Sequence, residues 1–91
     1  MDALNKLISN KGTVIVNDTA EYVADAVRYV ANEATVIARI EINGDTGTDV
    51  KAAYVTAAAS AIGKDARLVP QGDDYFSAIT LTSGSVEVTL K

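Results

Sequence analysis

The 91-residue chain contains no cysteine and no histidine, and these absences remove side chains on which many active sites and metal sites depend. Without cysteine there are no disulfides, thiolate metal ligands or cysteine nucleophiles. Without histidine, the Ser–His and Cys–His pairs of nucleophilic catalysis cannot form. The chain also lacks a run of about 18 apolar residues, so no transmembrane helix is expected. We therefore predict a protein that is not an enzyme and that needs no cofactor.

Basic residues are in the minority, with 8 Lys and Arg against 12 Asp and Glu and a net charge of −4. They are scattered, whereas binding to nucleic-acid phosphates needs a basic patch. The first residues, MDALNKLISNKG, lack the basic start and long apolar run of a secretory signal. The expected partners therefore include neither nucleic acid nor membrane. Aromatic residues are also few, and a core of small side chains would gain stability from a partner subunit.

Two loops rich in carboxylates are candidates for cation binding. Residues 43–49, NGDTGTD, carry oxygen-bearing side chains at alternating positions, as calcium loops do, but they lack the closing bidentate Glu. Asp73 and Asp74 form a second acidic pair after Gly72. A solvated loop is the alternative for both, and it is the interpretation we favour, so no metal-ligating residue is assigned.

Strands are expected through most of a single domain, residues 13–91. The alternating or β-branched segments are Thr13–Val16, Ala34–Ile42, Tyr75–Thr82 and Ser85–Leu90. In Ala34–Ile42 the alternation places Val36, Ala38, Ile40 and Ile42 on one face. The last two segments, joined at Ser83-Gly84, predict a C-terminal hairpin with Val86, Val88 and Leu90 inside and Glu87 outside.

Helices are expected in two places. The Ala-rich segment Asp49–Ile62 has a possible N-cap in Thr48 and a possible C′ glycine in Gly63. Residues 20–31, AEYVADAVRYVA, are ambiguous: the spacing of the apolar residues favours a helix, and a strand remains the alternative.

Residues 1–12 are expected to form an N-terminal arm. Leu4, Leu7 and Ile8 would share one face of a short helix there. A helix of this length is unstable alone in water, so the arm would dock either on its own domain or on a neighbour. Together with Tyr75 and Phe76, at the edge of the final hairpin, these three residues are the predicted interface residues.

Two blocks of sequence resemble a recurring pattern in small structural proteins of tailed bacteriophages. The first block runs through Ala26–Val30, the polar pair Asn32-Glu33 and the strand Thr35–Ile40. The second contains Val69-Pro70 and then YFSAITLTSGSV, residues 75–86. Both blocks occur here in the order found in those proteins, and the Ala-rich segment between them departs from the pattern.

The resemblance implies a non-enzymatic virion protein, specifically a capsid decoration (cement) protein on the head surface, made in the cytoplasm of a bacterial host. It implies the major capsid protein as a partner, self-association as a homotrimer, and a strand at Val27–Val30. The expected fold class is α+β and β-rich: a small antiparallel sheet or sandwich with a C-terminal hairpin and one Ala-rich helix. The alternatives are an intracellular α+β protein-binding or regulatory module and a tail or receptor-binding tip module.

Overall fold

The computed structural model of the chain describes residues 12–55 and 61–91. The arm before Gly12, and with it the predicted interface residues Leu4, Leu7 and Ile8, lies outside these ranges. The described residues form seven strands and one single-turn helix: β1 (Thr13–Val16), β2 (Tyr22–Ala31), β3 (Thr35–Ile42), α1 (Lys51–Tyr54), β4 (Ala61–Ile62), β5 (Arg67–Leu68), β6 (Phe76–Ser83) and β7 (Val86–Leu90). This confirms the predicted β-rich α+β class.

All seven strands belong to one curled antiparallel sheet. Its order is β1-β7-β2-β6-β3-β4, and β5 pairs with β2 beside β6. Strands β2 and β3 both pair antiparallel with β6, so the chain keeps its direction through the link at residues 32–34. Strands β6 and β7 both pair antiparallel with β2, so the same holds at residues 84–85. The fold is therefore two long, bent strands, β2–β3 and β6–β7, wound around each other.

The two strands predicted for the C-terminal hairpin are present as β6 and β7, joined at Gly84-Ser85, one residue beyond the predicted Ser83-Gly84. They do not pair with each other: β6 takes its ladder hydrogen bonds from β2 and β3, and β7 from β1 and β2. Val86 and Val88 are buried and Glu87 faces outward, which confirms the predicted alternation.

The two bends are fastened to each other by a buried hydroxyl. Thr35 is fully buried, and its Oγ1 accepts the Ser85 N–H at 3.1 Å while lying 2.8 Å from the carbonyl oxygen of Glu33. The Asn32 N–H donates to the carbonyl of Ser85 at 2.9 Å. These contacts satisfy backbone groups that leave the regular ladder where the strands bend.

Replacing Thr35 with Val is expected to destabilise the protein by about 2 kcal/mol, because the buried Ser85 N–H loses its acceptor while the side-chain volume is kept. Thr35→Ser is the matched control: it keeps the hydroxyl and loses one methyl group, at about 1 kcal/mol. Urea unfolding followed by circular dichroism measures both. A Thr35→Val protein as stable as the wild type would show that the hydroxyl does not hold the bends together.

The inside of the curl is filled by apolar residues from every long strand. At its centre the rings of Tyr29 and Phe76 stack with centroids 4.3 Å apart, and Tyr54 meets Phe76 edge-on at 5.2 Å. Burial raises the pKa of the Tyr29 hydroxyl. The remaining fully buried apolar side chains of the core cluster include Ile37, Ile40, Ile79, Leu81, Val16, Val86 and Val88. Three of the five aromatic residues thus meet at the centre of the core.

The predicted helix over Asp49–Ile62 is wrong at both ends. Only Lys51–Tyr54 is helical, Ala61–Ile62 pairs with β3 as a strand, and residues 56–60 lie outside the described ranges. The Val50 N–H donates to the carbonyl of Ile40 at 2.8 Å, which ties the start of the segment to β3. Burial of Val55 and pairing with the sheet therefore outweigh the helix propensity of alanine.

The helix favoured for residues 20–31 is also wrong, because Tyr22–Ala31 is a strand, as the resemblance implied for Val27–Val30. The ladder shifts register between Val23 and Ala26 and again between Ala26 and Arg28. In β3, the expected face is wrong as well: Ala38 is exposed while Ile37 is buried, and register shifts interrupt the alternation.

Candidate functional site

The two predicted aromatic interface residues, Tyr75 and Phe76, lie in different environments: one is at the surface and the other is in the core. Phe76 is fully buried in the core, so it is not exposed to a partner. Tyr75 is half-buried, and the ammonium nitrogen of Lys91 lies 4.4 Å from the centroid of its ring. Of the five predicted interface residues, Tyr75 is therefore the one that the described ranges place at the surface.

Tyr75 belongs to a rigid end of the sheet built around Asn43. The Asn43 side chain accepts the Tyr75 N–H at 3.0 Å and donates to the Asp74 carboxylate at 2.9 Å, while its own N–H donates to the Tyr75 carbonyl. Asn43 adopts φ +56, a left-handed conformation that Asn tolerates better than most residues. The loops after β3 and before β6 are thereby clamped together.

The oxygen-rich loop 43–49 uses its carboxylates to organise its own backbone. Asp45 Oδ1 accepts the Gly47 N–H at 2.9 Å. Asp49 Oδ1 accepts the N–H groups of Ile40 at 3.0 Å and Lys51 at 2.8 Å. Within residues 12–55 and 61–91, no group of three or more acidic side chains is arranged to hold a metal ion. The arrangement gives the loop a fixed shape without a cation.

Arg39 connects the same loop to the outer face of β3. Its Nε donates to Glu41 Oε2 at 2.8 Å, and a terminal nitrogen donates to the carbonyl of Thr46 at 3.0 Å. Glu41 is only 5% exposed, so the guanidinium supplies the charge partner that a buried carboxylate requires. This ion pair is structural, because both groups are engaged within the chain.

Burial would raise the pKa of the Asp49 carboxyl, but the two backbone N–H donors and the charges of Arg39 and Lys51 outweigh it, so its pKa is lowered. A carboxyl whose pKa is lower in the folded state stabilises the fold above its unfolded pKa and loses this effect as pH falls through the folded pKa.

Asp49→Asn is therefore expected to reduce the acid-side loss of stability below about pH 4, and to cost less than about 1 kcal/mol at neutral pH since an amide oxygen still accepts both N–H groups. Thermal unfolding at a series of pH values tests this. Asp73→Asn, on an exposed loop, is the control and should leave the pH profile unchanged. Parallel profiles for wild type and Asp49→Asn would contradict the prediction.

The outer face of β1, β7, β2 and β5 carries a row of four residues that we call the cross-strand row: Ile15, Glu87, Val30 and Arg67. The register Ile15↔Glu87, Val30↔Glu87 and Val30↔Arg67 places them side by side across four strands. Their sequence neighbours, such as Val88, Tyr29 and Leu68, point into the core. The row is therefore directed to solvent.

The two charges of the cross-strand row have no partners among the described residues. Glu87 and Arg67 make no ion pair or side-chain hydrogen bond there. They lie two strands apart, roughly 10 Å at ordinary strand spacing, with Val30 between them. The nearby Arg28 is engaged differently, since its guanidinium donates to the hydroxyl of Thr89 on β7 at 3.3 Å.

Apolar side chains are also exposed on and near this part of the sheet. Val27 on β2 is 40% exposed and Val69, directly after β5, is 57% exposed. Ile15 and Val30 are partly exposed. An apolar surface rimmed by unpaired charges is a common composition for a protein-binding surface.

Sequence reasoning did not find the cross-strand row. The alternation in SVEVTL correctly places Glu87 outside. Its neighbours Val30 and Arg67 could not be assigned, because residues 20–31 were ambiguous and the two-residue strand β5 has no pattern of its own. The row exists only through long-range register.

Comparison with known proteins gives no family for this chain. No family model matches it, and no curated protein or solved structure is significantly similar to it. Among the residues that the structure describes, no helix is long and apolar enough to cross a membrane.

Proposed function

We propose that this protein is a non-enzymatic structural component of a bacteriophage virion, a capsid decoration (cement) protein that self-associates and binds the major capsid protein at the head surface. The proposal combines a sequence resemblance with the surface of the sheet.

The observation that carries the proposal is the pairing of the two sequence blocks that resemble phage structural proteins. The first block forms half of β2 and most of β3, and the second forms β6 and the start of β7. They meet in register at Ile40↔Ile79 and at Ala26↔Phe76. The two blocks are far apart in sequence but form neighbouring strands, and each takes ladder hydrogen bonds from the other. This pairing supports a resemblance at the level of the fold.

The chemistry of the described surface fits a binding role. The buried Glu41 is neutralised by Arg39, and the Asp49 carboxylate is taken up by backbone N–H groups. The exposed features include apolar side chains and the charges of the cross-strand row. A protein that adds stability to a larger particle needs such contact surfaces and a rigid core.

Mass spectrometry of nuclease-treated, density-purified particles from the source culture tests the proposal. The expected result is many copies of this protein beside the major capsid protein. An abundant soluble protein of the host, measured in the same fractions, controls for carry-over. Particles that lack the protein while it remains in the soluble lysate would contradict the proposal and favour the intracellular binding module. A few copies that fractionate with detached tails would favour the tail or receptor-binding tip.

A further inference from the structure

We propose that the outer face of β7, β2 and β5 binds the same face of a second copy of this chain across a two-fold axis that runs along β2 at Val30. The inference deepens the self-association part of the proposed function. It does not depend on the protein being part of a virion.

The argument starts from the charge pattern of the cross-strand row. Reading across β7, β2 and β5, the row is negative at Glu87, neutral at Val30 and positive at Arg67. A rotation of 180° about an axis along β2 exchanges the two sides of the row. Glu87 of one copy then lies opposite Arg67 of the other, and the reverse, with the two Val30 side chains in contact at the centre. The face is therefore complementary to itself in charge, which a two-fold interface requires.

The unpaired state of both charges supports this placement. Within the described ranges neither Glu87 nor Arg67 has a charged partner, although Glu87 is only partly exposed. Arg28, which also lies on β2 near the axis, donates to Thr89 on β7 and so is turned away from the axis. The like charges of the two Arg28 residues are thereby kept apart in the dimer.

A second copy fits this face better than a partner of one charge sign. A partner of one charge sign would leave one side of the row mismatched: an acidic partner would lie against Glu87, and a basic partner against Arg67. The exposed Val27 and Val69 add apolar area near the charged pairs. Opposite charges that flank an apolar centre set the orientation of the partner, whereas the apolar contact supplies most of the affinity.

Sedimentation equilibrium of the purified full chain over a concentration series up to millimolar tests the inference. The wild type is expected to show a reversible monomer–dimer equilibrium. Glu87→Arg and Arg67→Glu, each placing like charges opposite one another, should each raise the dissociation constant by about tenfold or more. The double variant Glu87→Arg with Arg67→Glu restores opposite charges and should recover most of the affinity.

Asp73→Arg is the matched control, because it makes the same change in net charge as Glu87→Arg at an exposed position outside the cross-strand row. It should leave the dissociation constant unchanged, and circular dichroism should show that every variant is folded. A wild type that stays monomeric throughout, or an equal effect of Glu87→Arg and Asp73→Arg, would overturn the inference.

A trimer that Glu87→Arg leaves intact would also overturn the two-fold contact, since a two-fold interface closes at two copies. That result would leave the proposed virion role standing, because the resemblance implies a homotrimer. Loss of the protein from purified particles would instead remove the virion role and leave the dimer untouched.

Discussion

Gly84→Ala is expected to be among the most destabilising single-methyl additions in the described part of the chain, at about 3 kcal/mol or more. Gly84 adopts φ +95, which side-chain-bearing residues rarely adopt. A Cβ at this position would also lie 2.6 Å from the Cα of Thr35 and 2.8 Å from the carbonyl oxygen of Ala34. These are backbone atoms of the opposite bend, so the clash cannot be relieved by a side-chain rotation. Thermal unfolding should show a Tm lowered by more than about 10 °C.

Two other glycines separate the effect of the positive φ from the effect of the steric clash. Gly72 has φ +55 with nothing within 4 Å of its Cβ position, so Gly72→Ala reports the backbone effect alone, at about 1 kcal/mol. Gly63 has open space and no positive φ, so Gly63→Ala should change the stability by less than about 0.5 kcal/mol. Equal losses for Gly84→Ala and Gly72→Ala would show that the close approach of the two bends contributes nothing.

Phe76→Ala is expected to cost about 4 kcal/mol, a large part of the total stability of a domain of this size. Phe76 is fully buried, stacks on Tyr29 and receives the edge of Tyr54, so its removal leaves both rings without their shared contact. Phe76→Leu should cost about 1.5 kcal/mol because most of the volume is kept. Urea unfolding monitored by tyrosine fluorescence measures these losses.

The neighbouring aromatic residue provides the control. Tyr75→Ala removes a half-buried ring whose contact is with the Lys91 ammonium group, and about 1 kcal/mol is expected. A greater loss from Tyr75→Ala than from Phe76→Ala would show that the half-buried ring of Tyr75, and not the buried ring of Phe76, anchors the core. The two variants therefore also test whether Phe76 is a core residue while Tyr75 is a surface residue.

The sequence predicts where most of the long strands lie better than it predicts which side chains of each strand point into the core. Ile79, Leu81, Val86 and Val88 are buried as their alternation indicates, because β6 and β7 keep a regular pleat there. In β2, by contrast, a register shift separates Ala26 from Arg28, so that Ala26 and Tyr29 both face the core three positions apart. The periodicity favoured a helix because Tyr22, Val23, Ala26, Val27 and Val30 would share one helix face, but of these five residues only Ala26 is fully buried in the strand.

In the Ala-rich segment, the helix propensity of alanine predicts a helix, but sheet pairing outweighs it at the C-terminal end of the segment. One helical turn forms at Lys51–Tyr54, and Ala61–Ile62 joins β3 because the sheet offers it hydrogen bonds. The candidate interaction surface was less predictable still. Glu87, Val30 and Arg67 are far apart in sequence and meet only through two ladders whose register no local pattern encodes.

The winding of β2–β3 around β6–β7 has a consequence for how the chain folds as it is synthesised. Of the long strands, β2 has only C-terminal neighbours, β6 and β5 on one side and β7 on the other, and β3 lies beside β6. Before residues 76–90 leave the ribosome, the described strands can therefore form only two short pairings, β3 with β4 and β2 with β5. The apolar strands of the N-terminal half remain exposed until then, and folding follows as a single late event in which both halves wind together.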